Sequence, residues 1–233
     1  MDTYEHEVLA LTQRYLRDVV EALNACPFAR RSREAGRTHL RLFRPQCGEA
    51  LEALAERAAQ AVAAAQSKHP DAEAVLLVFA PDRGHPFAQA GPFEAFLRQF
   101  QAAHRASATP PFYSVAFHPE LSAPEPEAAT PANLVPALRR SPYPLIQCLR
   151  ADVMDEVRHN AQVRAQEKLN RELGQSPGLS TSYYVFSDPT LSAEIATQNH
   201  RNLGNGAGRE ELERRIKALL AARDAVEANA VRS

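Results

Sequence analysis

Cysteine is scarce in this 233-residue chain. Cys26, Cys47 and Cys148 are widely spaced, odd in number and without a CxxC pair, which excludes a disulfide scaffold and argues against a structural zinc knuckle. Net charge is scarce too. The 27 basic and 28 acidic side chains leave −1, so no overall field draws the protein to nucleic acid or to an anionic membrane. Long apolar runs are missing: nothing approaches the roughly 20 residues of a membrane span. The charged opening MDTYEHEVLALTQRYLRDVVEALNAC lacks the apolar segment of a signal peptide, and the expected setting is cytoplasmic. Glycines number only nine against seventeen prolines, so the connections should be shaped rather than floppy. Known signatures are also absent, with no GxGxxG after a strand, no GxxxxGK[ST], no HExxH and no GxSxG. GNGAG at 204–208 lies between two helical patterns and reads as a connector.

What is present is a globular balance, 45% hydrophobic and 24% charged, enough for one domain with appendages. Val8, Leu11, Tyr15, Val19 and Leu23 recur at helical steps, predicting a helix over Glu5–Ala25 that ends before Pro27. ARRSREAGR reads as a basic connection, THLRLF (Thr38–Phe43) as a strand, and the alanine-rich Glu49–Lys68 as a helix. AVLLVFA (Ala74–Ala80) is a strand covered on both faces. After PDRGHPF come a helix over 91–106 and a third strand, FYSVAF (Phe112–Phe117). A proline- and acid-rich loop of about two dozen residues follows, a length typical of functional lids or insertions. PLIQCL (Pro144–Leu149) is a fourth strand and a long polar-faced helix comes next. STSYYVF (180–186) is a further strand or hairpin arm, and helices cover Thr190–Leu203 and Gly208–Glu227 before a fraying end. Strands alternating with helices predict an α/β fold: a four- or five-stranded mixed, partly parallel sheet flanked by helices, with extra C-terminal helices. Residues 1–175 form the α/β domain. Residues 176–233 form an insertion and a helical extension packed on that domain.

Ligands of open α/β sheets bind beyond the strands' carboxyl ends. Two histidines fall there: His85 after the second strand and His118 straight after the third, in SVAFHPE. A following proline holds each extended. If the fourth strand runs antiparallel to the third, its leading segment RRSPYP (Arg139–Pro144) reaches the same edge. There Arg140 offers a planar fork to carboxylate or phosphate, and Ser141 and Tyr143 wall the site. The alternative is that SPYP is only a rigid lead into a strand. Cys26, in NACPFARR, is either a nucleophile paired with His118, its pKa lowered by Arg30 and Arg31, or a small residue sealing a helix end.

LNACPFA, AVLLVFAP, SVAFHPE and RRSPYPLIQCLR, in this order, resemble a bacterial family known as DUF1415, a domain of unknown function. Its members carry CPFA, ASFHP, an acidic loop, NRSPYP and LHLLRE. The resemblance covers about residues 15–165 and resumes at NHRNLG. Arg139 stands where the family has asparagine, Gln147 where it has histidine and Ala151 where it has glutamate, while SPGLSTSYYVFSDPTLSAE looks like an insertion. The resemblance implies that Cys26, His118, Arg140, Ser141 and Tyr143 sit in family-defining segments, and it names no reaction.

The expected function is a small-molecule enzyme with His118 at its centre, as general base or as ligand to haem iron or a single metal ion, an oxidoreductase in the latter case. Arg140 holds an anionic group, Tyr143 lines the pocket, and His85 is an optional second ligand or proton donor. The expected partner is a small-molecule substrate, with neither nucleic acid nor membrane, and a homodimer is left open. The competing expectation is a scaffold protein using the Pro-rich loop and the C-terminal helices.

Overall fold

The computed structural model describes residues 2–82, 84–107, 111–156 and 190–232, with positions 159, 163, 167 and 171 between them. Four strands, β1 (Thr38–Phe43), β2 (Ala74–Phe79), β3 (Phe112–Phe117) and β4 (Leu145–Arg150), form one mixed sheet in the order β1-β2-β4-β3. β1 runs parallel to β2, whereas β4 is antiparallel to both β2 and β3. That topology sets three carboxyl ends and the start of β4 on one rim, with Phe43 beside Phe79 and Leu145 between Val78 and Phe117.

Every residue of β2 is buried, because its period-two alternation feeds two separate cores. Val75, Leu77 and Phe79 face α3 (Leu51–Lys68) and α4 (Ala90–Ala106), meeting Leu54, Val62, Phe93, Phe96 and Phe100. Leu76 and Val78 face the other way, onto Val8, Leu11, Tyr15 and Val19. That second core also takes in Leu212, Ile216 and Leu219 of the last helix. The connecting helices are α2 (Ala29–Glu34) and the single turn α5 (Val135–Leu138). The C-terminal pair is α6 (Thr190–Leu203) and α7 (Gly206–Arg232), and a further helical stretch runs over 151–156. Among the described residues no helix is long and apolar enough to cross a membrane.

Three elements differ from their sequence reading. The first helix, α1 (Thr3–Tyr15), begins on a capping box between Asp2 and Glu5 and then widens into a π-helical stretch, Leu16–Glu21, where periodicity suggested one regular helix. The basic connection folds into α2 because Arg33 holds the buried Glu21 through two hydrogen bonds of 2.6 and 2.8 Å. The last helix does not fray after Glu227 but continues to Arg232. Its glycine-rich start is a tight corner: a Cβ on Gly208 would collide with the Asn202 carbonyl oxygen. The strand expected over 180–186 lies outside the described residues.

Candidate functional site

His85 and His118 meet on one residue. His85, fixed extended before Pro86, caps a short 3-10 turn, its Nδ1 accepting the Phe87 N–H at 3.1 Å. His118 takes the other backbone group of the same residue: its Nδ1 accepts the Glu120 N–H at 3.1 Å, and its Nε2 stands 2.9 Å from the Phe87 carbonyl. An imidazole that accepts at Nδ1 must carry its proton at Nε2, so Nε2–H donates to that carbonyl. Glu120 completes the staple by accepting the Ala90 N–H at the start of α4. The Phe87 ring thereby sits fully buried among Phe79, Phe93 and Phe96. Both histidines are 2% exposed, and burial pulls both below the ordinary imidazole pKa, so they are neutral at pH 7. The SVAFHPE histidine thus fastens the β2–α4 turn to the end of β3.

Both ring nitrogens of His118 are engaged with the backbone, and among the described residues no three His, Cys, Asp or Glu side chains converge as metal ligands. The residues present do not fit a haem iron or a single metal ion at His118. Cys26 fits its nucleophilic role no better. Burial raises its pKa, against backbone hydrogen bonds from Phe28 and Ala29, and Arg30 and Arg31 pair with Glu21 and Glu73 instead. No contact joins Cys26 to His118 among the described residues.

The backbone links FHP to RSPYP, since the His118 N–H donates to the Arg139 carbonyl at 3.0 Å. Within RSPYP the side chains then part company. Ser141, buried, donates to the Tyr143 carbonyl and shapes the turn. Tyr143 is 3% exposed, and no group meets its hydroxyl in hydrogen-bonding geometry. Burial and the nearby Glu227 push its pKa far above the phenol range, so it stays protonated. Arg140 reaches out to α7, donating from Nη1 to Glu213 at 3.1 Å, while its Nε is buried without a partner. A buried polar group left in that state costs about 1–3 kcal/mol.

α7 supplies the other wall through two stripes. Leu212, Ile216 and Leu219 point into the core; Arg209, Glu213, Lys217, Leu220, Asp224 and Glu227 recur every three or four residues beside them, along one face. Arg209 binds Glu213 (Nε–Oε1, 3.2 Å) and donates to the Pro124 carbonyl, but its Nη1 is buried and unpartnered. Between this face and Arg140 lies a groove of about 460 Å³, with Leu220 and Ala221 as its apolar part. Arg140, Arg214 and Lys217 line it against only Glu213 and Asp224, three cations to two anions. One turn beyond Asp224, Glu227 accepts from the Tyr4 hydroxyl at 2.7 Å, and Arg44 stacks over the Tyr4 ring.

Sequence reasoning placed His85, His118, Arg140, Ser141 and Tyr143 on one rim, and the antiparallel β4 brings them there. It missed Arg209, Glu213, Lys217 and Glu227, which read as one more charged helix face. It missed Tyr4 as well, whose partner is 223 residues away. No local pattern reveals such pairs.

No curated protein and no solved structure matches the chain. One family does: the model described as "Protein of unknown function (DUF1415)" matches residues 7–176. The match takes in the CPFA, FHP and RSPYP segments and stops short of α6 and of α7, the helix that furnishes the second wall of the groove. By that match, the chain belongs to the DUF1415 family.

Proposed function

We propose that the protein is a cytoplasmic small-molecule enzyme whose anionic substrate lies in the groove between RSPYP and α7. Arg140 holds its anionic group. The observation that carries this reading is Arg140 itself, a motif residue that lines a groove with excess positive charge while one of its buried N–H groups lacks a partner. A guanidinium so placed is poised for a planar acceptor. The reacting end of the substrate points along α7 toward Tyr143 and the nearby Glu227, a phenol and a carboxylate of the kind that proton-transfer sites use. His118 is a positioning residue that holds the rim, not a base or a ligand.

The competing scaffold reading draws less support. The Pro-rich loop and the C-terminal helices are engaged with each other, His200 meeting the Ala129 carbonyl at 2.9 Å and Arg209 the Pro124 carbonyl at 2.8 Å. The test is a thermal-shift screen of the purified chain against small carboxylates and phosphates, repeated on Arg140→Ala. Stabilisation by an anion that vanishes in the variant is the expected result; stabilisation that persists overturns the reading. The absorbance spectrum of the same sample checks the chemistry, because a Soret band would restore the haem expectation.

A further inference from the structure

Glu213 already behaves as a ligand would. Its two oxygens take one guanidinium each, Oε2 from Arg140 at 3.1 Å and Oε1 from Arg209 at 3.2 Å. The clamp is nonetheless unfilled, since Arg140 Nε and Arg209 Nη1 are buried without partners and the Arg209 side chain is only 9% exposed. Two guanidinium groups against one carboxylate leave an excess of positive charge beside a carboxylate that solvent and a ligand can reach, the Glu213 side chain being 38% exposed. One turn along the same face Lys217 lines the groove, and no ion pair engages it among the described residues. A helical rise of about 1.5 Å per residue puts Lys217 about 6 Å from Glu213.

Resting on the function proposed above, we infer that the groove selects a dicarboxylic acid and that Glu213 is its built-in competitor. One ligand carboxylate enters the Arg140–Arg209 clamp in place of the Glu213 carboxylate, matching the planar fork that the glutamate now satisfies. The second carboxylate meets Lys217, and the short aliphatic body lies on Leu220 and Ala221. Phosphate has a single anionic centre and cannot span both positions.

The test is titration calorimetry of the full chain with glutarate, pentanoate and inorganic phosphate, on wild type, Glu213→Gln and Lys217→Ala. Wild type should bind glutarate about tenfold tighter than pentanoate, the worth of one charge-assisted contact, and Lys217→Ala should close that gap. Glu213→Gln should bind glutarate about fivefold to tenfold tighter than wild type, because the competing carboxylate is gone. A gap that survives Lys217→Ala, or a Glu213→Gln affinity no better than wild type, overturns the inference and leaves Arg140 as an anion site. If neither wild type nor Glu213→Gln takes up any probe, the proposed function falls with it. Glu213→Gln also leaves two guanidinium groups without their counterion, so its melting temperature should drop and glutarate should restore it. A drop that glutarate does not reverse counts against the inference.

Discussion

The two polar regions of the rim, histidines around Phe87 and arginines along α7, satisfy their hydrogen bonds to different degrees. Around Phe87, both backbone groups of that residue find a partner, His85 for the N–H and His118 for the carbonyl, and Glu120 accepts from the first turn of α4. Along α7, Arg140, Arg209 and Tyr143 are withdrawn from solvent and stop one partner short. A complete network holds structure together and offers nothing to a newcomer, whereas an incomplete one bears a standing cost that a ligand can relieve. Substitutions in the first region should therefore register in stability, and those in the second in binding.

The sharpest break of that comparison would be His118→Ala. It orphans the buried Phe87 carbonyl, takes the partner from the part-buried Glu120 N–H and empties an imidazole-sized space, so urea unfolding should show a loss of about 3 kcal/mol, and an unchanged midpoint would refute the clamp. Acid should produce a smaller, graded effect in the same region. Burial holds His85 and His118 below the ordinary imidazole pKa, so on acidification the unfolded chain binds protons first. Their contribution is then fully present above about pH 6.5 and is lost as pH falls toward their folded-state values. Unfolding midpoints measured from pH 7.5 to 5 should decline, and His118→Gln should flatten the decline.

Arg140→Ala should cost about 1 kcal/mol or less in the same urea assay, since it breaks one partly exposed ion pair, while abolishing anion-induced stabilisation. Tyr143→Phe sits at the bottom of the scale. Deleting a hydroxyl that lacks a partner should leave stability within about 0.5 kcal/mol of wild type or raise it slightly, and a large loss would mean that the hydroxyl is satisfied after all.

Much of the scaffold could be read ahead of the structure. THLRLF and FYSVAF begin and end where the sheet does, and AVLLVF is buried along its whole length, because continuous apolar runs bounded by turn residues leave few alternatives. The rim positions of His85, His118 and Arg140 followed from strand direction alone. Their roles did not. An FHP motif shows where an imidazole sits but not that two backbone groups already occupy its nitrogens, since those groups come from Phe87 and Glu120 through tertiary packing. The arginine clamp was hidden for a different reason. Arg209 and Glu213 form an ordinary i,i+4 pair within α7, and only the return of that helix across the sheet brings Arg140 to them. The π-helical turn at Leu16–Glu21 likewise kept helical spacing in the sequence while changing the hydrogen-bond step.

The helix that closes the groove is made well after the sheet it covers. α7 begins at Gly206, yet its apolar stripe covers α1 and its Glu227 binds Tyr4 near the chain's first residues. At about 5–20 residues per second of synthesis, roughly 200 residues separate these partners by about 10–40 s. For that interval the nascent chain holds out one face of its sheet and the apolar side of its first helix with nothing to cover them. The period of greatest exposure to aggregation and to chaperones is thus set by where the anion-binding helix lies in the order of translation.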